Sequence, residues 1–165
     1  LDDLQTLSTA EAGALTLHRE PVEPRELIDA AVQSFAAQAT DKNVRLEGRG
    51  DSLPEIDVDR LRISEVLGIL LSNALRHTPS GGEVVVTAVA EGDGIDFSIA
   101  DTGTGIGQEE LPHVFDRFSR APDSPGAGLG LAIAKSLVEA HGGEIRAESD
   151  HAGTTISFTL PVGRD

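Results

Sequence analysis

Residues 83–107 of the chain read EVVVTAVAEGDGIDFSIADTGTGIG. Two apolar runs, 83–90 and 95–100, flank a turn made of Glu, Gly and Asp at 91–94. An Asp-Gly turn between two such runs is typical of an antiparallel β-hairpin. The second run ends at Asp101, and glycines follow at positions 103, 105 and 107. The stretch therefore predicts two paired strands that lead into a loop whose backbone can approach a ligand closely.

Helical and strand patterns lie on both sides of this hairpin. The spacing of apolar residues predicts three helices, which run from Pro24, from Asp57 or Asp59 to about His77, and over 129–141. Short strands are predicted around 15–17, 44–46, 145–149 and 154–160. The second helix is expected to bury Leu61, Val66, Leu67, Leu70, Leu71 and Ala74. Helices mixed with antiparallel hairpins indicate an α+β fold with helices layered on one face of a sheet.

The composition excludes several classes of protein. The 165 residues carry a formal net charge of -15, which disfavours a nucleic acid or an anionic membrane as partner. The chain has no cysteine, so disulfides and thiolate sites are excluded, and no apolar run is long enough to span a bilayer. A small anion held in a local pocket remains compatible with this charge.

A second glycine cluster, GAGLGL at 126–131, leads directly into the third predicted helix. A helix N-terminus offers unpaired N–H groups and a positive dipole end, which suits a phosphate. A P-loop is excluded because Gly130 is followed by Leu131 and Ala132 instead of Lys and Ser or Thr. A dinucleotide fold is excluded because a loop, not a buried strand, precedes these glycines. A flexible hinge, and for residues 103–107 a simple turn-rich loop, stay open as alternatives.

Three polar residues share one face of the second predicted helix. Asn73 is followed by Arg76 and His77, three and four residues later, which places them side by side. An amide oxygen can ligate Mg²⁺, and an arginine can pair with phosphate oxygens. An ordinary solvent-facing helix residue is the alternative for Asn73.

Residues 67–79 read LGILLSNALRHTP and residues 115–120 read FDRFSR. Together with 101–107 and 126–131, they resemble the asparagine, phenylalanine and two glycine boxes of the catalytic ATP-binding domain of sensor histidine kinases. The wider family includes DNA gyrase and the heat-shock chaperone and mismatch-repair ATPases. The resemblance implies a two-layer α/β sandwich whose mixed, mostly antiparallel sheet is covered by helices on one face, with a long ATP lid.

The resemblance also implies an ATP site with two ends, and ATP and Mg²⁺ as its ligands. Asp101 would accept a hydrogen bond from the adenine amine, while Gly103, Gly105 and Gly107 would shape the base pocket. Asn73 would ligate the Mg²⁺ that bridges the phosphates, which makes it both a metal ligand and a catalytic residue.

Further residues would complete the phosphate end of the site. Arg76 and His77 would lie near the phosphates and ribose, and Arg117 and Arg120 would steady the γ-phosphate as catalytic residues. The lid would contribute Phe118, Gly126, Gly128, Leu129 and Gly130. Phe115 and Phe118 would anchor the lid, with simple core packing as an equal alternative.

The resemblance extends to organisation and partners. Residues 1–13 resemble the end of a dimerisation helix, and 14–165 the catalytic domain. The γ-phosphate would pass to a histidine on the dimerisation domain of the same kinase and then to a response regulator. The fragment itself is expected to be monomeric and cytoplasmic, without nucleic acid or direct membrane contact, within a membrane-tethered protein.

The chain departs from the family pattern at two points. Ile69 stands where the family has a second asparagine, which predicts weaker Mg²⁺ coordination or an altered site geometry. The family's phosphoacceptor motif is absent, and His113, His141 and His151 are expected to be solvated at loops or element ends. Two alternatives stay open: a regulatory nucleotide-binding module without phosphotransfer, and an ATPase or serine kinase of the same fold. The ATPases place a catalytic glutamate where Ile69 stands.

Overall fold

A computed structural model describes residues 16–50, 53–116 and 130–162. Residues 1–13, which resemble the end of a dimerisation helix, lie outside these ranges, and so does segment 117–129, which holds most of the residues predicted for the lid. Within the described ranges, no helix combines the length and the apolar character that a membrane span requires.

Seven strands are present in these ranges: β1 (Glu20–Val22), β2 (Arg45–Arg49), β3 (Ile56–Val58), β4 (Glu83–Glu91), β5 (Gly94–Asp101), β6 (Glu144–Asp150) and β7 (Gly153–Pro161). Five of them form the main sheet in the order β2-β4-β5-β7-β6. β2 runs parallel to β4, and the other neighbours are antiparallel. The structure thus confirms the mixed, mostly antiparallel sheet and the hairpin of β4 and β5.

Three α-helices cover one face of this sheet: α1 (Pro24–Lys42), α2 (Arg60–His77) and α3 (Gly130–Ala140). Alternate residues of the strands, such as Val84 and Val86, are buried beneath them. At the centre, the rings of Phe97 and Phe158 stack with centroids 4.9 Å apart. The two-layer sandwich is therefore confirmed, and its core lies between the helices and β4, β5 and β7.

A second, two-stranded sheet was not predicted. β1 and β3 pair antiparallel, with Glu20 opposite Val58 and Val22 opposite Ile56. Each strand has only three residues, too few for a period-2 pattern to stand out from the sequence. The strand predicted around 15–17 is wrong for residues 16 and 17, which lie in irregular backbone.

Helix α2 begins at the second of the two predicted caps. The Asp59 carboxylate accepts a hydrogen bond from the Arg62 amide at 3.2 Å, as an N-cap residue does. The predicted burial of Leu61 is wrong, since 73% of this residue is exposed. Leu61 precedes the fully buried Leu70 by nine residues, about 180° around a helix, so the two face opposite sides.

Candidate functional site

Asp101, the last residue of β5, is a half-buried carboxylate at the edge of the core. Its Oδ1 atom accepts hydrogen bonds from the backbone N–H of Gly103 at 2.9 Å and of Thr154 at 3.3 Å. Burial raises the pKa of Asp101, although these two amides and the neighbouring His77 act in the opposite direction. Both amides bind Oδ1, and neither of these two hydrogen bonds uses Oδ2.

Hydroxyl groups from β6 and β7 complete this corner of the site. The Thr154 hydroxyl lies 3.0 Å from Ser149 Oγ, and Ser149 Oγ accepts from the Ile106 amide at 2.6 Å. Asp101 and Thr154 are directly opposite each other in the sheet register. Sequence reasoning missed Ser149 and Thr154, because only the pairing of β5 with β7 brings them to Asp101. The Gly153-Thr154-Thr155 triplet after a turn is the signal that could have found them.

The first two glycines of the 101–107 loop sit where a side chain would collide with backbone. A Cβ atom on Gly103 would come within 2.2 Å of the His77 carbonyl oxygen. Gly105 has a φ of +80°, and its Cβ would lie 2.4 Å from the Asp150 carbonyl oxygen. Both values are far below the van der Waals distance, so the loop packs directly onto the end of α2 and onto β6. Gly107 is under no such constraint, and its carbonyl accepts from the Glu110 and Leu111 amides in the turn that precedes the 3₁₀ helix at 111–113.

The end of α2 carries the second group of candidate residues. Asn73 is half-buried, and its Oδ1 accepts a hydrogen bond from the Arg76 guanidinium at 3.2 Å. His77 follows on the same face, and its charge acts on Asp101. The structure therefore brings the helix bearing Asn73, Arg76 and His77 into contact with the loop that starts at Asp101.

Ile69 lies on the same helix, one turn before Asn73. It is half-buried against the core, and a Cβ atom added to Gly130 would lie 3.4 Å from its Cγ2 atom. The side chain at this position thus contacts the first turn of α3. An apolar residue fits here because it fills the space between the two helices.

Several candidate residues fall in the segment 117–129, outside the described residues. These are Arg117, Phe118, Arg120, Gly126, Gly128 and Leu129. Of the neighbouring candidates, Phe115 packs against the core, and Gly130 begins α3.

The described residues fit an adenine nucleotide and offer few ligands to a metal. A carboxylate whose Oδ1 is held by two backbone amides can offer Oδ2 to the exocyclic amine of a purine. Within the described ranges, no three His, Cys, Asp or Glu side chains cluster as a metal site would require. A metal ion here would rely on the Asn73 amide and on oxygens of the nucleotide itself.

The expectation that His141 is solvated is wrong. His141 is 1% exposed, its Nδ1 atom donates to the Leu137 carbonyl at 2.8 Å, and its Nε2 atom accepts from the Asp59 amide at 3.1 Å. It is a structural residue between α3 and the start of α2. His113 and His151 are exposed, as expected.

Comparison with known families agrees with this arrangement. The model of the family "Histidine kinase-, DNA gyrase B-, and HSP90-like ATPase" matches residues 58–164, which include both Asn73 and Asp101. The chain belongs to this family. Within it, the chain is similar to the catalytic ATP-binding domains of sensor histidine kinases.

Two curated relatives illustrate that similarity. The signal transduction histidine-protein kinase BaeS of Escherichia coli (strain K12) is 35% identical over 174 residues, an alignment that covers 100% of this chain and 37% of BaeS. The histidine protein kinase DivJ of Caulobacter vibrioides is 36% identical over 171 residues, covering 98% of this chain and 28% of DivJ. The chain spans well under half the length of these relatives.

Solved structures show the same fold. Full-length ShkA in complex with AMPPNP superposes with a TM-score of 0.91 and 29% identity, covering 99% of this chain and 35% of ShkA. The catalytic domain of the histidine kinase ThkA gives a TM-score of 0.81 and 26% identity, covering 88% of this chain and 97% of that domain. The α/β sandwich is therefore that of histidine kinase catalytic domains.

Proposed function

We propose that this chain binds Mg²⁺·ATP and donates the γ-phosphate to a histidine of a dimerisation domain in the same kinase. The observation that carries the proposal is the contact between the two halves of the site. The Gly103 turn, whose amide donates to the Asp101 carboxylate, packs against the last turn of the helix that bears Asn73. The family match and the AMPPNP complex of ShkA support the nucleotide assignment.

In this proposal the adenine is recognised by Asp101. Its Oδ2 atom accepts a hydrogen bond from the adenine amine, while Gly103 and Thr154 hold Oδ1 and so orient the carboxylate. Gly105 and Gly107 continue the wall of the base pocket. Selection of adenine over guanine follows, because guanine presents a carbonyl oxygen where adenine presents an amine.

The phosphates lie towards α2 and the lid. Asn73 would hold Mg²⁺, which neutralises phosphate charge when bound, and Arg76 and His77 lie beside the phosphates and ribose. Arg117 and Arg120 would steady the γ-phosphate, with the lid closing through Phe118, Gly126, Gly128, Leu129 and Gly130. Phosphoryl transfer requires mainly positioning and charge neutralisation, so the site needs no nucleophile of its own.

The proposed partners follow from the acceptor chemistry. The γ-phosphate would be transferred to a histidine of the dimerisation domain and then to a response regulator. Residues 1–13 would end the dimerisation helix, with 14–165 as the catalytic domain. The domain would act in the cytoplasm, where ATP is available.

Nucleotide titration tests the binding half of the proposal. We expect wild-type protein to bind Mg²⁺·ATP and Mg²⁺·AMPPNP, and Asp101→Ala and Asn73→Ala each to weaken that binding roughly tenfold or more, the value of one or two charged hydrogen bonds. Asp57→Ala, on the exposed face of β3, serves as control and should bind as wild type does. Unchanged affinity in both site variants would exclude this pocket.

Transfer needs a separate acceptor. With a dimerisation domain that carries the phosphoacceptor histidine added in trans, we expect acid-labile phosphate on that histidine from γ-labelled ATP. Asn73→Ala should abolish the label. Nucleotide binding without any label in the wild-type reaction would contradict the kinase assignment and leave a regulatory binding module.

A further inference from the structure

The last turn of α2 is held by a residue from another helix. A helix leaves its final four carbonyl groups without partners inside the helix. In α2 the Ala74 carbonyl accepts from the Thr78 hydroxyl at 2.7 Å, and the Leu75 carbonyl accepts from the Thr78 amide at 3.4 Å. The ammonium of Lys42 then donates to the carbonyls of Leu75 and Arg76, the latter at 3.0 Å.

Independent contacts keep Lys42 at this place. It is the last residue of α1, and the next residue, Asn43, ends that helix in a left-handed conformation with a φ of 61°. The Asn43 side chain donates to Ser80 Oγ at 3.0 Å, and its carbonyl accepts from the Gly81 amide at 2.7 Å. The end of α1 is thus bonded to the loop that follows α2, and the ammonium needs little extra ordering to reach its two carbonyls.

We propose that Lys42 is a positioning residue for the nucleotide phosphates, acting through the last turn of α2. The inference rests on the proposed function. Arg76 and His77 lie in the last turn of α2, which the ammonium ties down, and Asn73 immediately precedes that turn. Asp101 ends β5, and the predicted base pocket lies in the loop that follows it. Lys42 therefore acts directly on the phosphate end of the site, and on the adenine end more weakly, through the contact of the Gly103 turn with His77.

Electrostatics favours a cation at this point. The C-terminus of a helix carries partial negative charge, and α2 presents that end to a polyphosphate within a chain of net charge -15. A single ammonium bonded to two terminal carbonyls offsets this field locally. The chain has only two lysines, Lys42 and the exposed Lys135 on α3, and Lys42 is the one that bridges two helices.

The test compares ligands that do and do not carry phosphates. Wild type, Lys42→Met and Lys42→Arg are titrated with adenosine and with Mg²⁺·ATP, below the melting temperature of every variant. We expect Lys42→Met to weaken the binding of Mg²⁺·ATP about tenfold and the binding of adenosine less than about twofold. Lys42→Arg keeps a charged multiple donor and should recover most of the Mg²⁺·ATP affinity. Lys135→Met removes the same charge elsewhere and should bind both ligands as wild type does.

Each outcome separates the possibilities. Equal losses for adenosine and Mg²⁺·ATP in Lys42→Met, or no loss for either, would overturn the positioning role. If Lys42→Met does not fold, Lys42→Gln, which retains an uncharged donor, takes its place under the same criterion. If the wild-type protein binds neither ligand, the proposed function itself is contradicted. If the wild-type protein binds both ligands and the variants show no selective loss, only the role of Lys42 is contradicted.

Discussion

The Nε2 atom of His141 accepts a hydrogen bond from the backbone amide of Asp59, 82 residues earlier in the chain and 3.1 Å away. The imidazole thus joins the end of α3 to the residue that caps α2. The Asp59 carboxylate also accepts from the His18 amide at 3.0 Å, so the segment before β1 meets the same point. Three parts of the fold converge on two buried polar side chains.

The first prediction concerns pH. Nε2 is an acceptor here, so the neutral imidazole fits and the protonated one does not. Burial lowers the pKa of His141, with Arg19 acting in the same direction and Asp59 and the Leu137 carbonyl opposing it. The unfolded chain therefore binds a proton at a higher pH than the native chain, and the free energy of unfolding should fall as pH drops below about 6.5.

Denaturant unfolding between pH 5.5 and 8 measures this effect. His141→Gln keeps an acceptor for the Asp59 amide but has no proton to gain, so its stability should change less over that window. An identical pH slope in wild type and His141→Gln would show that other groups cause the dependence.

The second prediction concerns the cap itself. Burial alone would raise the pKa of Asp59, but the amides of His18 and Arg62 and the nearby guanidinium of Arg62 lower it overall. Its charged form is thus stabilising above the ordinary carboxyl pKa, and that contribution is lost as pH falls through the lowered value.

Asp59→Ala removes the carboxylate that accepts both amides. At pH 7 we expect a loss of about 1–2 kcal/mol in the free energy of unfolding, measured by urea titration. Asp57→Ala, two residues earlier on the exposed face of β3, should change stability by less than about 0.5 kcal/mol. A similar loss in both variants would mean that the cap is not the cause.

The third prediction separates stability from binding at Asp101. Burial raises the pKa of this carboxyl, so its charged form costs stability at neutral pH, and that cost grows as pH rises through the raised value. Asp101→Asn keeps an oxygen for the Gly103 and Thr154 amides without a buried charge.

Thermal unfolding and Mg²⁺·ATP titration of Asp101→Asn should therefore diverge. We expect a melting temperature at or above that of wild type and an affinity roughly ten- to a hundredfold weaker, because an amide NH₂ faces the adenine amine. A variant that loses stability and affinity together would contradict this account.

The fourth prediction uses two glycines of one motif. Gly103→Ala places a Cβ atom 2.2 Å from the His77 carbonyl oxygen, so the loop must move away from α2. We expect a loss of about 1–3 kcal/mol in unfolding free energy, the usual cost of overpacking. In Gly107→Ala the nearest atom is the end of the Glu110 side chain at 3.7 Å, and stability should stay within about 0.5 kcal/mol. Equal stability of the two variants would refute the close approach of the loop to α2.

The fifth prediction concerns Ile69. Ile69→Asn restores the asparagine of the family pattern one turn before Asn73, and we expect tighter Mg²⁺-dependent ATP binding at some cost in stability, since the contact with the first turn of α3 is lost. Ile69→Val keeps an apolar contact and serves as control. Equal ATP affinity and equal transfer rate in wild type and Ile69→Asn would dismiss a role for this position at the metal.

Local patterns predicted most of the fold. Neighbours a few residues apart predict the β4–β5 hairpin, a cap of α2 at Asp57 or Asp59, and the apolar stripe of α2. The structure confirms the hairpin and the stripe apart from Leu61, and it places the cap at Asp59. The predicted burial of Leu61 is wrong because a leucine near a helix start resembles a core residue. Its position around the helix axis, about 180° from Leu70, shows that it faces solvent. β1 and β3 were missed because neither is long enough to show a period.

The sequence by itself determined the family, the order of the elements, and the residue types of the candidate site at Asn73 and Asp101. Only the tertiary structure decided which polar groups are buried together. His141 can be buried because the Asp59 amide donates to it. Thr154 lies beside Asp101 because of the register between β5 and β7. Lys42 bonds the end of α2, 33 residues away in the chain. A polar group is buried only where a partner satisfies it, and a partner so distant in the chain leaves no local pattern.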